Sequence, residues 1–445
     1  MAVPARYGCK VTDVRDGGKE MTARAVMRKR LQESSVGWLW LRMLAVVWVM
    51  GFAILASAEL KSLPTPAATG SLAPTWTPLS DGRAALSWLE RVDRGHAFRF
   101  AIFDGESFGP VREVAQGEGW FANWADKPGL FELENGAWLA HWLVKSGPAT
   151  YAYDVVMAVS KDQGRTWSAP FSPHDDGTQT EHGFVSYFPF GPDRAGAVWL
   201  DGRETAGGDH GHDGHAHHHH GNGAMTLRTA VVDAAGLVSE PVLLDERVCD
   251  CCQTASAVTD SGPVVIYRGR SADEIRDIRI VRRLADGWTE PVKIHADGWR
   301  IQACPVNGPA LIARGEELIA AWFTLGADNV PRVELVRSQD AGASFKHLAT
   351  LGSERALGRV DLAWWQDGFV VSWLDQVDGA ARLQLARFDE DGSMQDQREL
   401  TALDAGRVSG FPKLVNLSDQ RLLVAWTEPG AEGTQVRVAE IVAEP

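Results

Sequence analysis

Seven short apolar segments that end in an aromatic residue recur along the chain at intervals of about 50 to 70 residues. They cover residues 85–88, 139–142, 196–199, 264–267, 319–322, 370–373 and 423–426. Most copies follow a strand and a tight turn, and an alternating strand such as residues 382–388 comes after them. The unit that this pattern predicts is a four-stranded antiparallel meander, and such repeats build propellers, solenoids or arrays.

A closed ring accounts for this pattern better than an open stack, because closure removes the exposed edges of the terminal strands. The series contains no amphipathic helical pattern of ten residues, and its ends carry no polar cap. We therefore predict an all-β fold, a β-propeller of four-stranded antiparallel blades over residues 72–445, with seven blades favoured and six as the alternative. The seventh unit lacks its outer strand, so residues 60–63 or 75–79 are expected to pair with it.

The N-terminal segment carries the features of an export signal. Residues 43–58 are apolar and uncharged, follow the basic stretch at 28–30, and end in an Ala-Ser-Ala cleavage pattern. An uncleaved membrane anchor over residues 37–58 is the alternative. We predict a leader over residues 1–58, a flexible linker over 59–71, and a periplasmic or extracellular location with membrane contact only through the N-terminal segment.

The net charge of the chain argues against partners that carry many negative charges. The chain of 445 residues has a net charge of -14, and its leader holds nine Lys and Arg residues against four Asp and Glu, which leaves 35 against 54 in the remainder. A body this acidic without a basic patch is not expected to bind phosphate backbones or anionic lipid. Nucleic acid is therefore not an expected partner, and no nucleotide cofactor is expected.

Two eight-residue segments share one motif. Residues 160–167 read Ser-Lys-Asp-Gln-Gly-Arg-Thr-Trp, and residues 338–345 are a degenerate copy that ends in Ser-Phe. The motif resembles the Asp-box of the sialidase-like, or bacterial neuraminidase repeat, β-propellers. In that family it is a turn between the two outer strands of a blade, whose Asp and Ser or Thr oxygens satisfy turn amides and whose aromatic residue packs between blades. The resemblance implies architecture more than activity.

The same resemblance implies one alternative activity, that of an exo-α-sialidase. Sialidases of this family use an arginine triad, a tyrosine nucleophile paired with a glutamate, and an aspartate acid/base. The Phe/Tyr-Arg-Ile-Pro motif that usually carries the first arginine is missing. Glu181 and Tyr187 form the best Tyr-plus-Glu combination near a predicted inner strand. We assign no catalytic residue and favour a non-hydrolytic protein.

Four cysteines are expected to converge at one end of the predicted channel. Cys249, Cys251 and Cys252 precede the fourth unit, and Cys304 precedes the fifth. One interpretation is a pair of disulfides, with Cys304 joined to one of the three and Cys249 joined to Cys251 or Cys252. The other is a thiolate site for Cu or Zn, because soft sulfur donors suit Cu(I) and Zn(II).

A histidine-rich segment, residues 209–221, is predicted between the second and third strands of the third unit, on the same face as the cysteines. Imidazoles at this density bind Zn(II), Cu(II) or Ni(II), and the alternative is a low-complexity insertion that binds metal only adventitiously. Its seven candidate ligands are His210, His212, His215, His217, His218, His219 and His220.

Further polar residues are predicted to line the channel face, and as binding candidates we name His182, Asn307, Arg359 and Asp361. The sequence thus favours an exported propeller that binds Cu or Zn, or a metal-bearing partner, on this face. A small ligand, a glycan or an envelope protein is the expected partner there. A sialidase-type glycoside hydrolase and a disulfide-bridged glycan- or protein-binding module are the two alternatives.

Overall fold

A computed structural model describes residues 60–206 and 223–442 of the protein. The predicted leader, residues 1–58, and the histidine-rich segment, residues 209–221, lie outside the described residues. The described strands, numbered in chain order, are β1 Leu60–Leu63, β2 Ser71–Pro78, β3 Ala84–Arg91, β4 His96–Phe103, β5 Arg112–Gly117, β6 Gly129–Glu132, β7 Trp138–Lys145, β8 Tyr153–Ser160, β9 His182–Pro189, β10 Arg194–Asp201, β11 Thr226–Asp233, β12 Val238–Asp245, β13 Ala255–Thr259, β14 Gly262–Arg268, β15 Ile278–Leu284, β16 Gly287–Trp288, β17 Val292–Lys293, β18 Ala310–Arg314, β19 Glu317–Thr324, β20 Arg332–Ser338, β21 Lys346–Leu351, β22 Ala356–Trp365, β23 Gly368–Val377, β24 Ala380–Phe388, β25 Met394–Leu403, β26 Lys413–Ser418, β27 Arg421–Gly430 and β28 Gly433–Val442.

These strands form seven antiparallel sheets, one for each predicted unit. In chain order the blades are β2–β5, β6–β8, β9–β12, β13–β17, β18–β21, β22–β25, and β26–β28 with β1. In blade 2 the outer strand is reduced to a bridge in which Met157 and Phe171 exchange backbone hydrogen bonds of 2.7 and 2.9 Å. In blade 4 the outer strand consists of β16 and β17, which both pair with β15. The prediction of seven four-stranded blades in an all-β propeller is confirmed.

The N-terminal strand closes the ring. Strand β1 pairs antiparallel with β28, and the register places Leu60 opposite Ile441 and Leu63 opposite Val438. Of the two segments predicted to complete the last blade, residues 60–63 do so, whereas residues 75–79 begin within β2 of blade 1. Part of the segment predicted as a flexible linker is therefore a strand of the propeller, because pairing satisfies an edge that would otherwise be exposed.

The recurring aromatic residues form the contacts between blades. All seven are buried in the described part of the chain, and they are Trp88, Trp142, Trp199, Tyr267, Trp322, Trp373 and Trp426. The apolar clusters join residues of successive blades; one of them, for example, packs Leu383 of blade 6 with Leu422 and Ile441 of blade 7. The space between two twisted sheets is wedge-shaped, and one large aromatic side chain can fill it. The repeat therefore places one such ring in each blade.

The two Asp-box segments form matching turns after the third strand of blades 2 and 5. In the first, Asp162 Oδ2 accepts a hydrogen bond from Thr166 Oγ1 at 2.7 Å, and Ser160 Oγ accepts one from the Gly164 amide at 2.8 Å. The second repeats these contacts, with Asp340 Oδ2 accepting from Ser344 Oγ at 2.6 Å. Gly164 has a φ of +74° and lies against the Phe100 ring, which explains why glycine stands there.

The remaining described structure is loops and two short 3-10 helices, Arg203–Thr205 and Arg407–Ser409. Within residues 60–206 and 223–442, no helix has the length and apolar character needed to cross a membrane. Because strands alternate in direction, the loops that enter each first strand and those that join the second and third strands share one end of the ring. The pairing of Asp201 with both His182 and Thr226 shows this arrangement in blade 3. We call this end the channel face.

Candidate metal centre

Three cysteines meet in the loop that enters blade 4 on the channel face. One sulfur from each of Cys249, Cys251 and Cys252 lies within 4.8 Å of the others, and the Sγ atoms of Cys249 and Cys252 are 3.5 Å apart. All three side chains are buried. The C-x-C-C spacing therefore folds into one group of converging thiols, which is the geometry that a metal or a disulfide requires.

Hydrogen bonds to residues of blades 3 and 4, and to the loops that enter blades 2 and 5, fix the conformation of this loop. The Val248 amide donates to the Met225 carbonyl of blade 3, and the Cys249 amide donates to the Arg268 carbonyl of blade 4, both at 2.9 Å. The Gln253 side chain donates to the Ala125 carbonyl at 2.8 Å and accepts from the Gly308 amide at 2.9 Å. The thiols thus stand on a braced loop at the junction of several blades, which limits their freedom to move apart.

Cys304 joins the group from the next loop. It lies in the connection between β17 and β18, is half-buried, and packs against the apolar cluster that contains the other three cysteines. Burial mainly, and the neighbouring thiols including that of Cys304 in addition, raise the pKa of Cys251. The tertiary structure therefore brings together the four cysteines that the sequence analysis named, although they come from two loops that are about 50 residues apart in the chain.

The surroundings of the three thiols are unequal. Burial raises the pKa of Cys249 to about 11 and holds the pKa of Cys251 well above its usual range. Burial opposes ionisation of Cys252 as well, but hydrogen bonds from the thiols of Cys249 and Cys251 outweigh it and lower its pKa well below the usual range. The Arg268 guanidinium and the Asn307 amide act in the same direction. These surroundings favour ionisation of Cys252 over that of its two neighbours.

Arg268 is a buried cation beside these sulfurs. Its guanidinium donates to the backbone carbonyls of Asn307, Arg276 and Phe323 at distances of 2.6 to 3.0 Å. Because each of these hydrogen bonds goes to a neutral carbonyl, the positive charge of Arg268 remains available to the sulfurs. Arg276 adds a second cation, whose charge interacts favourably with an ionised Cys249. Nearby positive charge favours thiolates, which are the form that binds metal.

A phenol and two carboxyl groups form a buried network next to the cysteines. The Tyr153 hydroxyl is 2.7 Å from Glu181 Oε1 and 3.2 Å from Asp126 Oδ2. Burial raises the pKa of Asp126 to about 7, and burial together with Asp250, Asp126 and Cys249 raises the pKa of Glu181 well above its usual range. A phenol has one proton to donate, so these carboxyl groups are stable at close range only when they hold a proton between them.

The sequence paired Glu181 with Tyr187, but in the structure Glu181 contacts a different tyrosine, Tyr153. Tyr187 lies 3.1 Å from His141 Nδ1 and stacks on Phe131, in the packing between blades 2 and 3. The phenol that meets Glu181 is that of Tyr153, which begins β8 and forms a parallel bridge with Glu181 across the blades. Tyr187 is near Glu181 only in sequence. The position of Tyr153 at the channel-face end of a third strand was the available signal.

Three of the four predicted channel-face residues have structural contacts that occupy their polar groups. Asn307 Oδ1 accepts from the Arg359 amide at 2.7 Å, which braces blade 5 against blade 6. The Arg359 side chain donates to Ser409 Oγ at 2.8 Å and to two carbonyls. Asp361 accepts from the Leu414 amide and from Lys413 Nζ, both at 2.7 Å. These groups join neighbouring blades at the channel face.

His182 has a different environment. Its ring is fully buried between blades 2 and 3, among the carboxylates of Asp154, Asp176 and Asp201 and beside the ring of His174. It therefore belongs to a group separate from the cysteines. His182 is the one member of this group that was predicted from the sequence, because its partners come from three other segments of the chain.

Comparison with known proteins bears on the fold. No protein-family model matches the chain, and no curated protein matches it in sequence. Among solved structures, the BP39L lectin from Burkholderia pseudomallei aligns at 12% identity and a TM-score of 0.54, covering 84% of this chain and 96% of the lectin. A mutant of Trypanosoma rangeli sialidase aligns at 13% identity and a TM-score of 0.45, over 84% of this chain and 59% of that one.

The microbial sialidase Hz136 aligns at 13% identity and a TM-score of 0.43, covering 79% of this chain and 74% of the sialidase. At these identities the likeness concerns the fold. The chain is a seven-bladed β-propeller closed by β1, and its fold is similar to that of the BP39L lectin.

Proposed function

We propose that the protein is an exported, non-hydrolytic propeller that binds a Cu(I) or Zn(II) ion at the thiols of Cys249, Cys251 and Cys252 on its channel face. The convergence of three buried sulfurs within 4.8 Å carries this proposal. Sulfur donors suit these two ions, and the adjacent arginines favour the thiolates that both ions require, although burial raises the pKa of Cys249 and Cys251.

Cys304 distinguishes the two metals. Structural Zn(II) sites are almost always tetrahedral with four protein ligands, so Zn(II) would take Cys304 as its fourth donor. Cu(I) is selected by soft thiolates without that requirement, so the C-x-C-C group alone would hold it. The half-buried position of Cys304 beside the other three supports its role as a recruited ligand.

The location and the histidine-rich segment complete the proposal. The apolar run and cleavage pattern before residue 58 support export to a periplasmic or extracellular site. Residues 209–221 fall in the connection between β10 and β11, which is a channel-face connection of the blade before the cysteines. The imidazoles of that segment would capture metal, or contact a metal-bearing envelope partner, before transfer of the metal to the thiols.

The test uses the full chain, purified under anaerobic and reducing conditions. Cu(I) and Zn(II) affinities are measured by competition with chromophoric chelators, and free thiols are counted before and after loading. We expect about one thiolate-bound ion per chain and protection of the cysteines on loading. Cys249→Ser combined with Cys252→Ser should remove the thiolate-bound equivalent of each ion, whereas Cys304→Ser should weaken Zn(II) binding more than Cu(I) binding. Unchanged metal content in the double variant would reject the site.

A Cys249–Cys252 disulfide is the competing state, since these sulfurs are already close. Mass spectrometry under non-reducing conditions, on protein taken from its own compartment, separates the two. Two disulfides with no bound metal would instead support a bridged glycan- or protein-binding module.

The contact between Tyr153 and Glu181 favours one second candidate, a sialidase-type glycoside hydrolase. The pair and the adjacent Asp126 have the side-chain types that such an enzyme uses. The Tyr153 side chain is fully buried, however, and stacks on Phe121 with centroids 4.0 Å apart. A nucleophile must reach its substrate, so this burial favours the non-hydrolytic function.

A further inference from the structure

Two histidines and three aspartates form a second polar group, between blades 2 and 3. Asp154 lies in β8, His174 and Asp176 in the loop before β9, His182 at the start of β9, and Asp201 at the end of β10. The side chains of His182 and Asp201 are fully buried and those of His174 and Asp176 nearly so, whereas that of Asp154 is 34% exposed. The group is thus enclosed on all sides except at Asp154.

Two of the carboxylates are already held by other protein groups. Asp201 accepts from Arg203 Nε and Nη2 at 2.8 and 2.7 Å and from Trp199 Nε1 at 2.8 Å. Asp176 accepts from the Thr178 amide, and its Oδ2 lies 3.0 Å from His174 Nδ1 and 3.2 Å from His182 Nε2. Asp176 therefore orients the His174 ring by a hydrogen bond, as carboxylates behind metal-bound histidines do, and lies close to the His182 ring without hydrogen-bond alignment.

Three donor atoms on the other side of the rings are left without a partner. His174 Nε2, His182 Nδ1 and Asp154 Oδ1 are buried and make no hydrogen bond, and His182 Nε2, which faces Asp176, makes none either. His182 Nδ1 and Asp154 Oδ1 approach to 3.3 Å without hydrogen-bond alignment. His174, His182 and Asp154 each place a donor atom within 4.8 Å of the other two. Unpaired buried polar atoms are costly, so their convergence calls for a ligand.

The charges of the group indicate the sign of that ligand. The three carboxylates of the group face at most two cations, since Arg203 contacts Asp176 and Asp201, and Arg228 lies 3.8 Å from Asp201 but also 3.5 Å from Glu204. At least one negative charge is left over among neutral imidazoles. A cation is therefore required, and it is either a metal ion or a proton on His182.

We propose that His174, His182 and Asp154 hold a divalent transition-metal ion of the Zn(II) class, separate from the cysteine site. Two imidazole nitrogens and a carboxylate oxygen are a donor set that such ions take, with water completing the coordination on the exposed side of Asp154. This site uses nitrogen and oxygen donors from blades 2 and 3, so it does not depend on the thiols.

The experiment isolates this site in the full chain. The parent variant carries Ser at the four cysteines and Asn at the seven histidines of residues 209–221, and Zn(II) is titrated against a chromophoric chelator. We expect about one equivalent. Asp154→Asn and His174→Gln should each weaken binding about 10- to 100-fold. His295→Gln is the matched control, because His295 also pairs with an aspartate, Asp297 at 2.6 Å, but has no converging third donor in the described residues.

Co(II) supplies a second measurement that does not need the cysteine substitutions. In the chain with native cysteines, Co(II) at this site should give visible absorption bands of nitrogen and oxygen coordination, and Asp154→Asn should remove them while leaving any sulfur-to-metal band. No Zn(II) equivalent in a folded parent variant would overturn the proposal. Equal affinity in Asp154→Asn, His174→Gln and His295→Gln would also overturn it and would leave a proton on His182 as the balancing charge.

Discussion

The hydroxyl of Tyr153 donates a hydrogen bond to Glu181 Oε1 at 2.7 Å, across the boundary between blades 2 and 3. The next residue in each segment, Asp154 and His182, belongs to a different group of side chains. Successive side chains of an extended segment point in opposite directions. One pair of extended segments therefore serves two sites, with the phenol and carboxyl network beside the cysteines and the imidazole group on the other side.

The first prediction concerns hydrolysis. Because Tyr153 is buried, we expect the native protein to release no sialic acid from a fluorogenic sialoside. We expect Tyr153→Phe to lower the free energy of unfolding by about 1–3 kcal/mol, since it removes the hydroxyl that contacts the buried Asp126 and the half-buried Glu181. Urea denaturation measures this change. Tyr187→Phe is the control, as its hydroxyl contacts only His141 among the described side chains. Turnover by the native protein that disappears in Tyr153→Phe would show an enzyme.

The second prediction concerns metal and stability. An ion that binds only the folded protein stabilises it, and at a free concentration 100 times Kd the gain is about 2.7 kcal/mol. We expect Cu(I) or Zn(II) to raise the melting temperature of the native chain, and a chelator to reverse the change. In the variant that combines Cys249→Ser with Cys252→Ser, the metal should raise the melting temperature only by the contribution of the site formed by His174, His182 and Asp154. A full metal response in that variant would contradict thiolate binding.

The third prediction is a pH dependence that arises at Asp126. Burial raises the pKa of this carboxyl to about 7, so the folded protein keeps a proton that the unfolded chain releases near pH 4. Stability from this group is complete below the unfolded pKa and is lost as the pH rises to about 7, by at most roughly 4 kcal/mol at 1.36 kcal/mol per pH unit. Asp126→Asn should flatten this part of the profile in urea titrations at pH 4, 5.5 and 7. Parallel profiles for the two proteins would show that Asp126 is ionised in the folded state.

The fourth prediction tests the Asp-box turn. Gly164 and Gly136 both have a positive φ, but only at Gly164 does an added Cβ meet a neighbour, at 2.5 Å from the Phe100 ring. Gly136→Ala should cost about 1–2 kcal/mol for the backbone conformation alone. Gly164→Ala should cost about 1–3 kcal/mol more, because the ring must move in a packed interface. Thermal denaturation of both variants checks the difference, and equal losses would mean that the turn tolerates the side chain.

The fifth prediction tests ring closure. Removal of residues 60–63 exposes the edge of β28 and uncovers apolar contacts of Leu60 and Leu63 with the last blades. We expect a lower melting temperature and concentration-dependent association, since an unpaired edge recruits other strands. Light scattering and calorimetry measure both. Lys61→Ala is the control, because Lys61 is 65% exposed and its ion pair with Glu440 at 3.8 Å is worth little.

Local pattern was sufficient for the fold. The recurring aromatic residues marked the second strand of every blade, and the Asp-box segments at Asp162 and Asp340 marked turns whose hydrogen bonds lie within a few residues of each other. The four cysteines could be assigned to one end of the ring for the same reason. Strand direction alternates in a meander, so the order of strands decides the end at which each loop emerges.

The contacts between loops were decided by the tertiary structure. Nothing in the sequence near Glu181 indicates that its partner is Tyr153 and not Tyr187, or that His182 turns towards Asp154 and His174, because these partners come from other blades. The braces formed by Asn307 and Asp361 depend in the same way on where the next blade places an amide. Periodicity fixes the phase of each strand within its own sheet, whereas the packing of one twisted sheet against the next selects which side chains meet.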